Sequence, residues 1–152
     1  MSGKSRAHSL RKGRFSGIGH AYMITATVHE RVPVFSDWCL GRLLVAELRQ
    51  AKALGLADSL AWVVMPDHLH WLLVLRDGSL AQVVQRVKSC SAIAVNKARG
   101  GAGQLWQVGF HDTGVRREQD LKRLARYIIA NPLRAGLVER VGDYPLWDAV
   151  WL

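Results

Sequence analysis

The chain has little cysteine and no long apolar stretch, and both shortages narrow what it can be. Only Cys39 and Cys90 occur in its 152 residues, and they favour neither a disulfide framework nor a cysteine-rich zinc site. No apolar run reaches the ~20 residues of a membrane-spanning helix, and the N-terminus lacks the apolar segment of about 7 to 15 residues found in a secretory signal. We therefore expect a cytoplasmic protein without disulfides.

Acidic residues are also scarce. The chain has 12 Asp and Glu against 21 Lys and Arg, with a net charge of +9 and a pI near 10.3. Such an excess favours nucleic acid as a partner, because Lys and Arg displace the counterions of phosphates. No acidic residue precedes Glu30, so we expect residues 1–19 to form a flexible basic arm that binds DNA phosphates. A DNA-binding protein of this kind is expected to associate with the nucleoid in the cytoplasm. The basic side chains of this predicted arm are Lys4, Arg6, Arg11, Lys12 and Arg14.

The chain has the composition of a globular protein, with 49% apolar and 22% charged residues. We expect one domain, at residues 20–152. Hydrophobic periodicity and β-propensity predict its elements. In chain order these are a strand at 20–28, a helix at 37–54 capped by Ser36, strands at 60–65 and 68–75, a helix at 80–97 capped by Ser79, a strand at 105–110 and a helix at 118–130. The order predicts an α+β fold, a ferredoxin-like split βαβ antiparallel sheet with an added C-terminal helix.

His68 and His70 are the most informative pair in the sequence. They open a predicted strand, and a strand points every second side chain to one face, so both imidazoles project together while Leu69 points into the core. Packing alone rarely produces such a pair, because each ring nitrogen needs a partner. The pattern favours a metal site over the alternative, two ordinary surface histidines.

The last predicted helix places Arg123, Tyr127 and Asn131 on one stripe, since they recur every four residues. A phenol beside a two-histidine metal site can attack a phosphodiester, with Arg123 favouring its ionised form. Two imidazoles with oxygen ligands favour Mg²⁺ or Mn²⁺ over structural zinc, and Asn131 is the predicted third ligand. The alternatives are a packed helix tyrosine and a helix-terminal asparagine before Pro132.

Three spaced segments together form a recognisable pattern. They are MPDHLH at 65–70, LWQVGFHD at 105–112 and YIIANPLRAGLV at 127–138. In this order they resemble the REP-associated tyrosine transposases, bacterial relatives of the single-tyrosine HUH transposases. The similarity extends from about Arg14 to Trp147, and three motifs in the right order are far more specific than any one of them.

The resemblance implies a metal-dependent endonuclease and strand transferase that acts on single-stranded DNA. On the family pattern, His68 and His70 bind Mg²⁺ or Mn²⁺, and Tyr127 attacks the phosphate to leave a 5′-phosphotyrosine and a free 3′-hydroxyl. The implied substrates are repetitive extragenic palindromes folded as hairpins, recognised with a short 5′ flanking tetranucleotide. The family is expected to act as a monomer, whereas insertion-element cousins exchange the tyrosine helix within a dimer.

Two positions depart from the family pattern. The family usually has Asn where this chain has Asp67, and the added negative charge would tighten metal binding or reorient His68. The insertion-element cousins place Gln four residues after the tyrosine. Asn131 is one methylene shorter, so a water bridge to the metal would be needed.

Further cations on the second and last helices are predicted to follow DNA phosphates, the alternative being solvated helix faces. They are Arg86, Lys88, Lys97, Arg99, Arg116, Arg117, Lys122, Arg123 and Arg126. Trp106, Trp147 and Trp151 are predicted base-stacking platforms, with a structural role as the alternative for Trp106, and Trp62 and Trp71 are predicted core residues. The alternative function is a nucleic-acid-binding module of the same fold without catalysis, because this fold serves many functions.

Overall fold

The computed structural model describes residues 17–151, so the cations predicted to form the basic arm lie outside the described residues. The strands are β1 (Ala21–Thr27), β2 (Ala57–Met65), β3 (His68–Leu75), β4 (His111–Val115) and β5 (Trp147–Ala149). The helices are α1 (Trp38–Ala53), α2 (Leu80–Arg99), α3 (Glu118–Ile129) and α4 (Asn131–Arg134), with 3-10 turns at His29–Arg31, Val34–Ser36 and Val141–Asp143. Within residues 17–151, no helix is long and apolar enough to span a membrane.

The five strands form one antiparallel sheet in the order β4-β1-β3-β2-β5. The first four strands follow the ferredoxin-like order, which confirms the predicted split βαβ plan. The added C-terminal helix is α3, followed by the short α4. β5 extends the sheet beside β2 and was not predicted.

The two faces of the sheet are covered unequally. On β1, Ile24 is fully buried and the adjacent Thr25 only half-buried, because successive side chains point to opposite faces. α1 and α2 pack together on the well-covered face, whereas α3 packs across β2 and β3 on the other, which we call the open face. His68 and His70 lie opposite Thr27 and Thr25 in the register, so both project from the open face.

Helix starts follow the local capping chemistry. Ser79 caps α2 as predicted: its hydroxyl accepts from the Gln82 amide at 3.1 Å, and the Gln82 side chain accepts from the Ser79 amide at 3.0 Å. The prediction of Ser36 as the α1 cap is wrong by one residue. Asp37 fills that position and accepts from the Cys39 amide at 3.0 Å, because an aspartate caps a helix as well as a serine does.

The fourth strand lies later than predicted. Residues 105–110 form a loop that meets the sheet through one bridge, between Trp106 and Val28, and β4 begins at His111. The indole of Trp106 is buried, and its Nε1 donates to the Ser91 hydroxyl on α2 at 3.0 Å. This anchor holds the loop towards α2. The prediction of Trp106 as a stacking platform is therefore wrong, because the ring belongs to the core.

Four other tryptophans have a predicted role. Two are core residues as predicted, and for the other two base stacking stays a prediction. Trp62 and Trp71 are buried in the core, which confirms their assignment. Trp147 is half-buried and its Nε1 donates to the Val141 carbonyl at 3.1 Å, while Trp151 is exposed. Of Trp62, Trp71, Trp147 and Trp151, Trp151 is the most exposed residue, at 37%.

Lys88 corrects another prediction. It is 7% exposed, and its Nζ donates to the carbonyl oxygens of Gln107 at 2.8 Å and Gly109 at 2.6 Å. Burial lowers the pKa of this ammonium group. A cation enclosed by two backbone carbonyls is not available to DNA phosphates, so the predicted DNA contact of Lys88 is wrong. It holds the loop before β4 instead.

Candidate active site

Hydrogen bonding fixes the ring of His68 at the start of β3. Its Nδ1 lies 2.7 Å from Oδ1 of Asp67. Because a carboxylate only accepts, Nδ1 donates to Asp67, and in the neutral imidazole Nε2 then keeps its lone pair for a ligand. The His68 side chain is 17% exposed. The ring is thus held by the protein on one side while its second nitrogen can serve a ligand.

Asp67 is itself held by Arg31, whose Nε donates to Oδ2 at 3.2 Å. Burial raises the pKa of the Asp67 carboxyl, but the hydrogen bond with His68 and the charges of His68 and Arg31 outweigh it and hold that pKa below its usual range. Glu30 and Arg31 both adopt left-handed backbone angles, with φ of 56° and 54°, a conformation that costs non-glycine residues of order 1–3 kcal/mol each. Both carboxylate oxygens of Asp67 are engaged, so Asp67 acts on the site through His68.

His70 lies deeper on the same face. Its Nδ1 is 3.0 Å from Oγ1 of Thr25 on β1. Burial lowers the pKa of His70 to about 4, with smaller contributions from the charges of His68 and Arg134. The imidazole is therefore neutral near pH 7, the form that binds metals. In the tautomer whose Nδ1 donates to the Thr25 hydroxyl, Nε2 is left for a ligand.

The two rings fit a labile divalent cation. Their centroids are 4.7 Å apart with an interplanar angle of 78°. Within the described part of the chain, no three His, Cys, Asp or Glu side chains gather into a possible metal site. From residues 17–151, a cation on the two imidazoles would take neutral oxygens as further ligands, with water or substrate phosphate completing its coordination. This donor set differs from that of a closed structural zinc site and suits a cation that retains open positions.

α3 brings Tyr127 to the histidine pair. The helix buries Ala125 and Ile128, which leaves Tyr127 at its edge with half of its surface exposed. The Tyr127 ring centroid lies 6.4 Å from that of His70, at an interplanar angle of 64°. The predicted partners therefore meet on the open face. The arrangement places a phenol that solvent and substrate can reach beside two ligand-ready imidazoles.

Arg134 lies against Tyr127 and was not singled out from the sequence. Its Cζ is 3.9 Å from the Tyr127 ring centroid, and its guanidinium donates to the Tyr127 carbonyl at 2.8 Å and to Oδ1 of Asn131 at 2.7 Å. Nδ2 of Asn131 is buried and has no hydrogen-bond partner among residues 17–151. The oxygen predicted to bind metal is thus engaged by Arg134.

The stripe of Tyr127 and Asn131 continues to Arg134 at i+7, which is the signal that would have found it. Pro132 was expected to end the helix, but it occupies the first turn of α4, where proline is tolerated, and a helical path resumes.

Arg123 has a different partner from the one predicted. Its guanidinium is exposed and donates to Asp120 at 2.7 Å, whereas Arg134 supplies the cation on the tyrosine ring. The other cations predicted on the last helix are also exposed. Arg116 and Arg117 lie just before α3, and Lys122 and Arg126 lie on it. Arg86 is exposed on α2, which packs against the opposite face, and Lys97 and Arg99 are exposed on the same helix.

His111 shares the face of the histidine pair. It lies opposite Thr25 on β1, and Thr25 lies opposite His70 on β3. Cross-strand partners point to the same side of a sheet, so the exposed His111 extends the row of polar side chains towards the β4 edge.

Known proteins resemble this chain in sequence and in fold. Residues 18–131 match the family model described as "Transposase IS200 like". A REP-associated tyrosine transposase of Escherichia coli K12 is 31% identical over 87 residues, which cover 56% of this chain and 50% of that protein. The chain thus spans about half the length of this curated relative. A solved REP-associated tyrosine transposase bound to a REP hairpin superposes with a TM-score of 0.73 at 23% identity, over 88% of this chain and 79% of that one. That likeness shows a shared fold.

Proposed function

The chain belongs to the IS200-like transposase family, and on that premise we propose that it nicks and rejoins single-stranded DNA beside hairpin-forming sequences. The observation that carries the proposal is the position of Tyr127, a half-exposed phenol whose ring centroid lies 6.4 Å from that of His70. A solved relative holds a REP hairpin, which supports a DNA hairpin as the ligand. The tyrosine of the chain lies beside its own histidines, which supports action as a monomer.

In this proposal the phenolic oxygen of Tyr127 attacks the scissile phosphorus and the bond from phosphorus to the 3′ oxygen breaks. The phenol gives up its proton and the leaving 3′ oxygen gains one, which leaves a 5′-phosphotyrosine and a free 3′-hydroxyl. A second 3′-hydroxyl reverses these steps and releases the tyrosine. One phosphodiester is exchanged for another, so the rejoining step requires no nucleotide cofactor.

His68 and His70 would hold a divalent cation, Mg²⁺ or Mn²⁺. When bound, that cation polarises the scissile phosphate and stabilises the negative charge of the transition state. Asp67 and Thr25 fix the orientation of the two rings from behind. Asn131 Oδ1 accepts from Arg134, so as an oxygen ligand it would use its second lone pair or leave the arginine.

We assign DNA binding to the exposed cations on α3 and just before it, because the net charge of +9 favours a polyanionic partner. Lys122, Arg123 and Arg126 on α3 would contact phosphates next to the reaction centre, with Arg116 and Arg117 before the helix. Arg86 on α2 and the basic residues 4–14 would contact DNA outside the cleavage site. Trp151 would offer a surface for base stacking.

The test is covalent capture. The protein is incubated with Mn²⁺ and a suicide hairpin oligonucleotide, in which a nick lets the cleaved end diffuse away so that it cannot be rejoined. The covalent protein–DNA adduct is then separated under denaturing conditions. Wild type should form the adduct, and Tyr127→Phe should form none while still binding the hairpin. His68→Ala and His70→Ala should each abolish the adduct, because the cation loses half of its protein nitrogens.

The matched control is His20→Ala, which removes an exposed histidine at the other end of the β1–β3 pair. Its adduct yield should equal that of wild type. An adduct that persists in Tyr127→Phe would refute the nucleophile. Full activity in both histidine variants would refute the metal site.

A further inference from the structure

Arg134 makes three contacts with two residues of the proposed site, although it is itself an exposed residue. Its guanidinium stacks over the Tyr127 ring at 3.9 Å and donates to the Tyr127 carbonyl at 2.8 Å and to the Asn131 amide oxygen at 2.7 Å. Resting on the proposed function, we propose that Arg134 is the positioning residue of the nucleophile, which fixes the Tyr127 ring and the Asn131 amide in one arrangement.

Tyr127 needs such a partner because packing holds it weakly. Half of its surface is exposed, whereas its helix neighbours Ala125 and Ile128 are buried. An exposed aromatic side chain can exchange between rotamers, and a nucleophile displaced by about 1 Å can lose about 100-fold in rate. A guanidinium lying on one ring face restricts that exchange.

The shape of arginine is essential to this role. A planar guanidinium can cover a ring with its face while its edge donates to two acceptors, whereas the compact ammonium of lysine cannot do both. Arg134→Lys therefore keeps the charge at this position and loses the arrangement. The positioning role predicts that lysine fails to replace arginine.

Arg134 also decides how the Asn131 amide is oriented. The Arg134 guanidinium donates to Oδ1 of Asn131, so Oδ1 faces the arginine. Nδ2 of Asn131 then occupies a buried position without a hydrogen-bond partner among the described residues. If the guanidinium withdraws, the amide can rotate and place its oxygen there. Arg134 thus decides which atom of the Asn131 amide takes the buried position.

The experiment uses ¹⁹F NMR of the full chain labelled with 3-fluorotyrosine. The chain has three tyrosines, so the spectrum has three resonances, and Tyr127→Phe identifies the one of interest. Arg134→Lys and Arg134→Gln should shift or broaden the Tyr127 resonance and leave those of the buried Tyr22 and Tyr144 in place. Unmoved Tyr22 and Tyr144 signals show that each variant is folded.

The kinetic arm measures adduct formation at saturating hairpin in a single turnover. Arg134→Lys should lower that rate at least tenfold and change hairpin affinity less than threefold, which separates positioning from phosphate binding. The matched control is Arg140→Gln, an exposed arginine of the same C-terminal segment that pairs with Asp143 at 3.4 Å. It should change neither the Tyr127 resonance nor the rate.

An unchanged Tyr127 resonance in both Arg134 variants, or a wild-type rate in Arg134→Lys, would overturn the proposal. Should Arg134→Gln fail to fold, the lysine variant still decides. If wild type forms no adduct, the proposed function fails, while the ¹⁹F spectra still show whether Arg134 holds the tyrosine.

Discussion

Replacing Asp67 should weaken metal binding without touching a metal ligand. Both oxygens of Asp67 are engaged, Oδ1 by His68 at 2.7 Å and Oδ2 by Arg31 at 3.2 Å. Asp67→Ala removes the acceptor that fixes the protonated Nδ1 and the ring orientation of His68. Loss of such a partner typically costs about 10- to 100-fold in metal affinity, roughly 1.4–2.7 kcal/mol.

Two related variants, Asp67→Asn and Arg31→Ala, should lower metal affinity less than Asp67→Ala does. Asp67→Asn keeps an oxygen that can accept from His68, but without the charge that roughly doubles the strength of such a bond, so we expect a loss within about tenfold. Arg31→Ala leaves the carboxylate in place. Because the Arg31 side chain is 62% exposed, its pair with Asp67 is worth at most about 1 kcal/mol, and affinity should fall less than about fivefold.

The assay is a Mn²⁺ titration in which electron paramagnetic resonance measures the free ion, with urea unfolding to show that each variant is folded. The matched control is Asp58→Ala, a carboxylate of the same sheet that pairs with Arg76 at 2.7 Å and Lys52 at 3.2 Å, at the far end of β2. It should leave Mn²⁺ affinity unchanged. If Asp67→Ala binds Mn²⁺ like wild type, or Asp58→Ala weakens it equally, the role given to Asp67 is refuted.

Three further predictions concern stability and DNA binding. In the metal-free protein, unfolding free energy should fall as pH drops from about 6.5 to about 4, because unfolded His70 takes up a proton that the buried ring resists. His70→Gln should remove up to about 3 kcal/mol of this fall in urea titrations at pH 7 and 4, and an unaltered pH dependence would contradict it. Lys88→Met should lower unfolding free energy by about 1–3 kcal/mol through two unpaired carbonyls and leave hairpin affinity unchanged; the opposite pattern would restore Lys88 as a DNA contact. Lys122→Ala and Arg126→Ala should each reduce the slope of log affinity against log salt by about 0.7–0.9, whereas Arg76→Ala, at the far end of the sheet, should not.

The fold followed from the sequence where local signals and packing agree. β3 begins at His68 and ends at Leu75 as predicted, because Pro66 and Asp67 form the turn before it and apolar residues fill it. β4 was misplaced because 105–110 has the apolar content of a strand, yet the indole of Trp106 bonds to α2. The segment that does pair, His111–Val115, is an edge strand of mostly polar residues that pattern alone does not favour.

The positions of the two histidines and the tyrosine were predictable from the sequence, whereas the arginines that contact Asp67 and Tyr127 were not. Strand periodicity placed His68 and His70 on one face, and helical spacing placed Tyr127 on α3. Arg31 reaches Asp67 from a left-handed turn 36 residues earlier in the chain, and no local pattern encodes such a contact. Pro132 conceals Arg134 in the sequence, because a proline predicts the end of a helix, whereas here it occupies the first turn of α4.

The central claim is that Tyr127 is the residue that becomes linked to DNA, and mass mapping of the adduct tests it most directly. The protein is captured on a hairpin oligonucleotide with Mn²⁺, digested with protease and nuclease, and the modified peptide is sequenced by mass spectrometry. Of the three tyrosines, Tyr22 and Tyr144 are 1% and 4% exposed and cannot reach a substrate. The account predicts a 5′-phosphonucleotide on Tyr127 and on no other residue. Linkage at another residue, or cleavage of the hairpin without any covalent intermediate, would contradict it.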